Sequence, residues 1–234
     1  MKTGRKALLT VFCAMLLVMA SVMGTLAYLT DSESVQNTFT VGKVEIILDE
    51  TNTDGKDAAG EDNSGEARDT ANSCKLIPGI SQTKDPRVTL KAGSEPAYLY
   101  MVVEVENLQV LTDVLTDVLT DESYWATDAE GNRIFLLQNL TDYQASSPWT
   151  FVEFRDNSYR FVYNGTPDTL GKGDMELQPL FNEITLPGKE FTEQHAADLS
   201  TVKVNVTAYA IQAAGFEGDS EKAWDALADQ NNLG

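Results

Sequence analysis

The chain has 234 residues, 42% of them hydrophobic, and 17 Lys and Arg stand against 36 Asp and Glu for a formal net charge of −19. That length and apolar share are enough for one domain with a packed core and argue against wholesale disorder. So acidic a chain repels phosphate backbones, which disfavours nucleic acid as a partner.

In chain order, Lys2, Arg5 and Lys6 precede an apolar run at 7–23 broken only by Thr10 and Ser21. This is the basic head and apolar body of a secretory signal peptide. Thr25 and Ala27 place small residues at −3 and −1, so cleavage is expected after Ala27, with Tyr28 as the new N-terminus. A cut after Ala20 is a second candidate, and it would leave an apolar stub. An uncleaved anchor is the alternative, although a span needs about 20 apolar residues. The expected organisation is a signal peptide at 1–27 and one β-sandwich domain at 28–234. Cys13 leaves with the signal, so Cys74 stands alone and no intrachain disulfide forms.

Period-two alternation with β-branched residues predicts strands. The segment NTFTVGKVEIILD at 37–49 sets Val44, Ile46 and Leu48 on one face. At 97–106, Ala97, Leu99, Met101, Val103 and Val105 share a face, with Glu104 and Glu106 on the other. At 201–212 the even residues from Val202 to Ala210 oppose Lys203, Asn205 and Thr207. Further strands are expected at 87–90, 133–138, 149–154, 159–163 and 180–186, separated by turn residues such as Asp156-Asn157 and Asn164-Gly165. Two helices are expected. One is the repeat VLTDVLTDVLTD at 110–121, with Leu111, Leu115 and Leu119 as a stripe on a surface insertion; the other spans 219–229. The acidic stretch 49–74 holds no large apolar residue and is expected to be a flexible loop. Many short strands without alternating long helices predict a mainly β, antiparallel sandwich with one or two short helices.

Catalytic signatures are missing from this pattern. His195 is the one histidine, so a His-Glu-x-x-His zinc site cannot be built, and no Gly-x-Ser-x-Gly turn is present. A Cys74–His195 dyad would depend on a cysteine at the edge of the acidic loop. No enzyme activity and no cofactor are expected. The nearest approach to a metal site is Glu50, Asn52, Asp54 and Glu61, which nearly reproduce a calcium-loop spacing. It departs in having Glu at the first position, Asp57 at the eighth and a strand leading in. Tyr98, Tyr100, Trp125, Trp149, Tyr159 and Tyr163 are candidates for a carbohydrate-stacking platform, or else for core and cross-strand pairs.

Several stretches together resemble one family. They are the N-terminal GTLAYLTDSESVQNTFTVGKVEIILDE, the PGISQTKDPRVTLKAGSEPAYLYMVVEVE run, the Tyr-rich YRFVYNG with the later PLF strand, and the ending AYAIQAAGFEGDSEKAW. These are similar to the TasA/camelysin family of secreted Gram-positive matrix proteins. The resemblance implies a jelly-roll-like sandwich, processing by a SipW-type signal peptidase, and a structural role in extracellular biofilm-matrix or pilus-like fibres. It further implies that the freed segment 28–39, with Tyr28, Leu29, Asp31, Val35 and Phe39, completes the sheet of a neighbouring copy. The expected partners are therefore copies of the chain in a head-to-tail homopolymer, with membrane contact only before cleavage. Alternatives are a secreted camelysin-like metallopeptidase, for which the zinc motif is missing, and a monomeric cell-wall or carbohydrate-binding or fibre-accessory module.

Overall fold

The computed structural model describes residues 43–57, 59–70, 72, 79–127, 131, 133–135, 139–186 and 191–231. All of them lie in one unit of the chain, 42–234. The signal peptide, the Ala27–Tyr28 cleavage position, the assembly-strand residues Tyr28, Leu29, Asp31, Val35 and Phe39, and Cys74 lie outside the described residues.

The strands are β1 (Ile46–Thr51), β2 (Arg68–Asp69), β3 (Gln82–Thr83), β4 (Arg87–Leu90), β5 (Ala97–Glu106), β6 (Trp125–Thr127), β7 (Arg133–Phe135), β8 (Trp149–Arg155), β9 (Ser158–Tyr163), β10 (Met175–Glu176), β11 (Glu183–Ile184) and β12 (Lys203–Gln212). Helices α1 (Leu108–Val118), α2 (Glu193–Leu199) and α3 (Ser220–Asn231) punctuate them. The molecule is mainly β, with all strand pairs antiparallel. One four-stranded sheet runs β10-β4-β1-β2 and the other β12-β5-β9-β8; β11-β3 and β6-β7 form two-stranded ribbons. No helix among the described residues is long and apolar enough to cross a membrane.

Strand β5 fixes the architecture. Its odd-numbered residues Leu99, Met101, Val103 and Val105 are at most 1% exposed and join Val88 of β4 and Phe161 of β9 in one core shared by both large sheets. Its opposite face would expose Tyr98 and Tyr100, and α3 covers them with Ala223 and Leu227 in a second, smaller cluster. All ten β5 residues pair with β12, from Glu106 opposite Lys203 to Ala97 opposite Gln212. On the far side β9 pairs from Tyr100 to Glu104. The β8–β9 hairpin turns on Asp156 and Asn157, both at positive φ (50° and 63°). Two such residues make the tight turn whose twist matches the strands, and Asp and Asn tolerate that conformation.

Three expectations change. The Val-Leu-Thr-Asp repeat does form a helix, α1, but it is no surface insertion. Leu108, Leu111, Val114, Leu115 and Leu119 all enter the main core. A four-residue period drifts slowly around a 3.6-residue turn, so the apolar positions stay on one face over this short length. The third helix, α2, was not expected. Its start is set by Thr192, whose hydroxyl accepts the His195 N–H at 3.2 Å while His195 Nδ1 accepts the Thr192 N–H at 3.3 Å. The strand expected at 180–186 shrinks to the short β11, and of that expected at 133–138 residues 133–135 form β7 while 136–138 lie outside the described residues.

If α1 belongs to the core, Leu115→Ala should lower unfolding stability by about 2–5 kcal/mol. The exposed neighbour change Thr116→Ala should stay within about 0.5 kcal/mol. Urea denaturation of the two variants measures the difference; equal, small effects would return the repeat to the surface.

Candidate functional site

The acidic stretch carries more structure than an apolar count suggests. Strand β1 runs into it, and β2 returns antiparallel, pairing Glu50 with Asp69 and Thr51 with Arg68. Between them Asn52 donates from its side chain to the carbonyls of Asn63 (2.8 Å) and Glu66 (3.1 Å), and Asn63 donates to Asp69 at 2.8 Å. Arg68 is the hub. Its guanidinium ion-pairs with Asp49 and with Asp85 (2.8 Å), and donates to the carbonyls of Asp49 and Asp85 at 3.0 Å each. Asp85 also accepts the Thr51 N–H at 2.6 Å. Polar side chains thus order a segment that has no apolar face, because charge-assisted hydrogen bonds replace hydrophobic burial.

This network takes up the calcium-loop candidates. Glu50 is buried and spent on Lys84 (2.7 Å) and Asn72 (3.1 Å). Asn52 Oδ1 accepts the Gly55 N–H at 2.8 Å, Asp54 accepts the Lys56 N–H at 3.0 Å, and Glu61 is exposed. The four residues serve separate partners instead of one centre. Among the described residues no group of three or more His, Cys, Asp or Glu is placed to hold a metal ion. The aromatic platform is likewise not brought together at the surface. Tyr98, Tyr100, Trp125, Trp149 and Tyr159 are buried, with the Tyr159 hydroxyl bound to the Phe135 carbonyl at 2.6 Å and the Trp149 indole to the Gln178 carbonyl at 2.9 Å. Tyr163 packs half-buried against Trp149. His195 serves as a helix cap.

The feature that stands out lies between β1 and β12. On one side β1 pairs with β4 from Ile46 to Asp49; on the other, β2 reaches only Glu50 and Thr51. Ile46, Ile47 and Leu48 therefore have no ladder partner on that second side among the described residues. Among the described residues, strand β12 ends its sheet and pairs with β5 alone. A groove of about 190 Å³ runs between them. Its lining is mixed: Leu48, Pro86, Val204 and Val206 are apolar, and Asp49, Thr70, Asn72, Asn205 and the Lys84–Glu50 pair are polar. Leu48, Val204 and Val206 pack against the main core yet remain only half-buried. These core residues are thus only partly covered along this flank, where the strand edges have no ladder partner among the described residues.

The opposite edge of the same sheet is treated differently. The Tyr143 hydroxyl accepts the Phe151 N–H at 3.2 Å and donates to the Trp149 carbonyl at 2.8 Å, capping the outer edge of β8. A register shift between Phe151 and Glu153 interrupts that edge further. Of these features only the strand patterns were legible in the sequence. The groove depends on which strands end up as neighbours, and no local signal reports that.

Neither a scan against protein-family models nor searches among curated proteins and solved structures give a match for this chain. The resemblance to the TasA/camelysin family accordingly rests on the sequence motifs themselves.

Burial raises the Asp85 carboxyl, but hydrogen bonds from Arg68 and from the Thr51 N–H and hydroxyl outweigh this and hold its pKa below the ordinary 3.8. A carboxyl with a depressed folded-state pKa stabilises above its unfolded value, and the contribution disappears as pH falls through the folded one. Wild type should therefore exceed Asp85→Asn in urea midpoint at pH 7, and the gap should shrink as the pH drops below about 4. A gap that is constant down to acid pH would remove Asp85 from the role.

Proposed function

We propose that the chain is a structural subunit of an extracellular biofilm-matrix or pilus-like fibre. It would be secreted through a SipW-type signal peptidase and assemble when segment 28–39 of one copy is donated to another. The two four-stranded sheets are read as the halves of a jelly-roll-like sandwich that lacks one strand. The observation that carries this reading is the groove between β1 and β12, where both banks have backbone without a ladder partner among the described residues and where Leu48, Val204 and Val206 are half-buried.

The donated segment suits that groove. Val35 and Phe39 are four residues apart, so an extended chain places them on one face with Asn37 between them, and sets Ser34, Gln36, Thr38 and Thr40 on the other. Turned toward the groove, Val35 and Phe39 would cover the half-buried Leu48, Val204 and Val206, with Asn37 of the same face set beside polar lining residues such as Asp49 and Asn72. Backbone pairing with an open edge gives affinity, and alternate side chains give register. Donation from one copy to the next is head-to-tail and does not close on itself, so it generates a filament. Cleavage after Ala27 would release the segment from the membrane and act as the assembly switch.

A chain beginning at Tyr28 should form fibres visible by electron microscopy, whereas one beginning at Gly42 should remain monomeric by light scattering. Val206→Lys in the longer chain should also abolish fibres, because a charge at this apolar lining position would be buried by the incoming strand. Fibres from the chain that begins at Gly42 would overturn the proposal.

A further inference from the structure

We infer that a second cavity, on the outer face of the β12-β5-β9-β8 sheet beside α3, binds a single ring of a neutral sugar. This does not rest on the fibre reading. The cavity measures about 170 Å³, with Val102 of β5 on its floor and Tyr209 of β12 and Trp224 of α3 as an aromatic wall. Ligand sites for drug-sized molecules run to roughly 300–1,000 Å³, so this one has room for one small ring. The wall is held in place before any ligand arrives. The Trp224 ring centre lies 5.1 Å from Tyr100 and 5.9 Å from Tyr209, the latter nearly perpendicular, and the Arg160 guanidinium sits 4.8 Å from it.

The charges around the cavity select among ligand classes. Arg160 is only 5% exposed, and its donors are committed to Glu153 (3.0 Å) and Glu221 (2.8 and 3.3 Å). No unpaired buried cation waits for an anion, and Glu153, Asp156 and Glu221 repel one. The Arg160 guanidinium already lies over the Trp224 ring, so a cation finds that face taken, and the aromatic face left for a sugar ring is that of Tyr209. The groups left over are a mixture of donors and acceptors. The Tyr209 hydroxyl has no hydrogen-bond partner among the described residues. Burial, followed by the nearby charge of Glu104, raises its pKa and keeps it protonated. Glu153 uses Oε1 for Arg160, which leaves Oε2 as an acceptor. Arg155 pairs with Asp156 through Nε alone, at 3.2 Å, and keeps its terminal N–H groups. Free donors and acceptors above an apolar floor and an aromatic wall fit a hydroxyl-bearing ring with one apolar face. A single ring should bind with a Kd of order 1 mM, and repeated copies on any multivalent assembly would raise the avidity.

The test is NMR titration of the purified chain with methyl β-glucoside, N-acetylglucosamine and glucuronate. Saturable shifts at Tyr209 and Trp224 with either neutral sugar, and at least about fivefold weaker binding of glucuronate, are expected. The stronger neutral probe then separates an amino-sugar polymer from a plain hexose polymer as the source. Tyr209→Phe and Glu153→Gln should each weaken binding about three- to tenfold while the thermal midpoint moves by no more than a few °C. No saturation below about 50 mM, tighter binding of glucuronate or tetramethylammonium than of the neutral sugars, or unchanged affinity in both variants would overturn the inference. None of these outcomes depends on whether the chain polymerises.

Discussion

The double burial of β5 is the constraint on which the rest of this structure depends. It has a partner on each edge, and along its first half both faces are closed to solvent. Leu99 and Met101 face the main core, and Tyr98 and Tyr100 lie beneath α3. A strand in that position must be apolar almost continuously, and AYLYMVV is. A register slip of one residue would drive Tyr100 into the space of Met101 and turn Glu104 toward the core, so the ten-residue pairing with β12 is strongly specified. Helix α3 exists in its position because the aromatic side of β5 needs a cover. The Tyr100 hydroxyl donates to the Ser220 carbonyl at 2.5 Å and ties down the first turn of that helix.

With β5 central, β8 and β12 become the two edges of its sheet, and they are unequal. At β8 one tyrosine hydroxyl satisfies both an outward N–H and an outward carbonyl, and the bulge spoils the spacing that another strand would need. At β12 nothing comparable caps the edge among the described residues, and the groove beside it exposes part of the core. A sheet with one closed and one receptive edge can accept a strand from only one side.

The sequence exposed the period-two strands well, because β5, β9 and β12 carry one apolar face over most of their length. It exposed α1 and α3 as helices for the same reason, through periodicity. What it hid was context. Leu111 and Leu115 look the same in a surface insertion and in a core helix, and only the neighbours distinguish them. The acidic stretch was misleading in another way. Hydropathy counts Asp49, Arg68 and Asp85 as solvent-seeking, yet the three together order β1 and β2 by satisfying one another. The aromatic residues failed as a surface platform because strand periodicity cannot say which face a helix will later cover. Tyr209 and Trp224, which do border a cavity, lie far apart in the chain and meet only through the packing of α3 on the sheet.

Strand β12 links both candidate sites, and its pleat keeps them apart. Val204 and Val206 are even-numbered and belong to the core-facing side, where they line the groove beside β1, joined at its rim by Asn205; Tyr209 is odd-numbered and borders the outer cavity. Successive side chains of a strand point to opposite faces, so an occupant of one site does not occlude the other. Backbone pairing along the free edge would use the peptide groups that neither set of side chains engages. One edge strand thus turns its even-numbered side chains toward the core and sets Tyr209 beside the outer cavity, while its free edge has no ladder partner among the described residues.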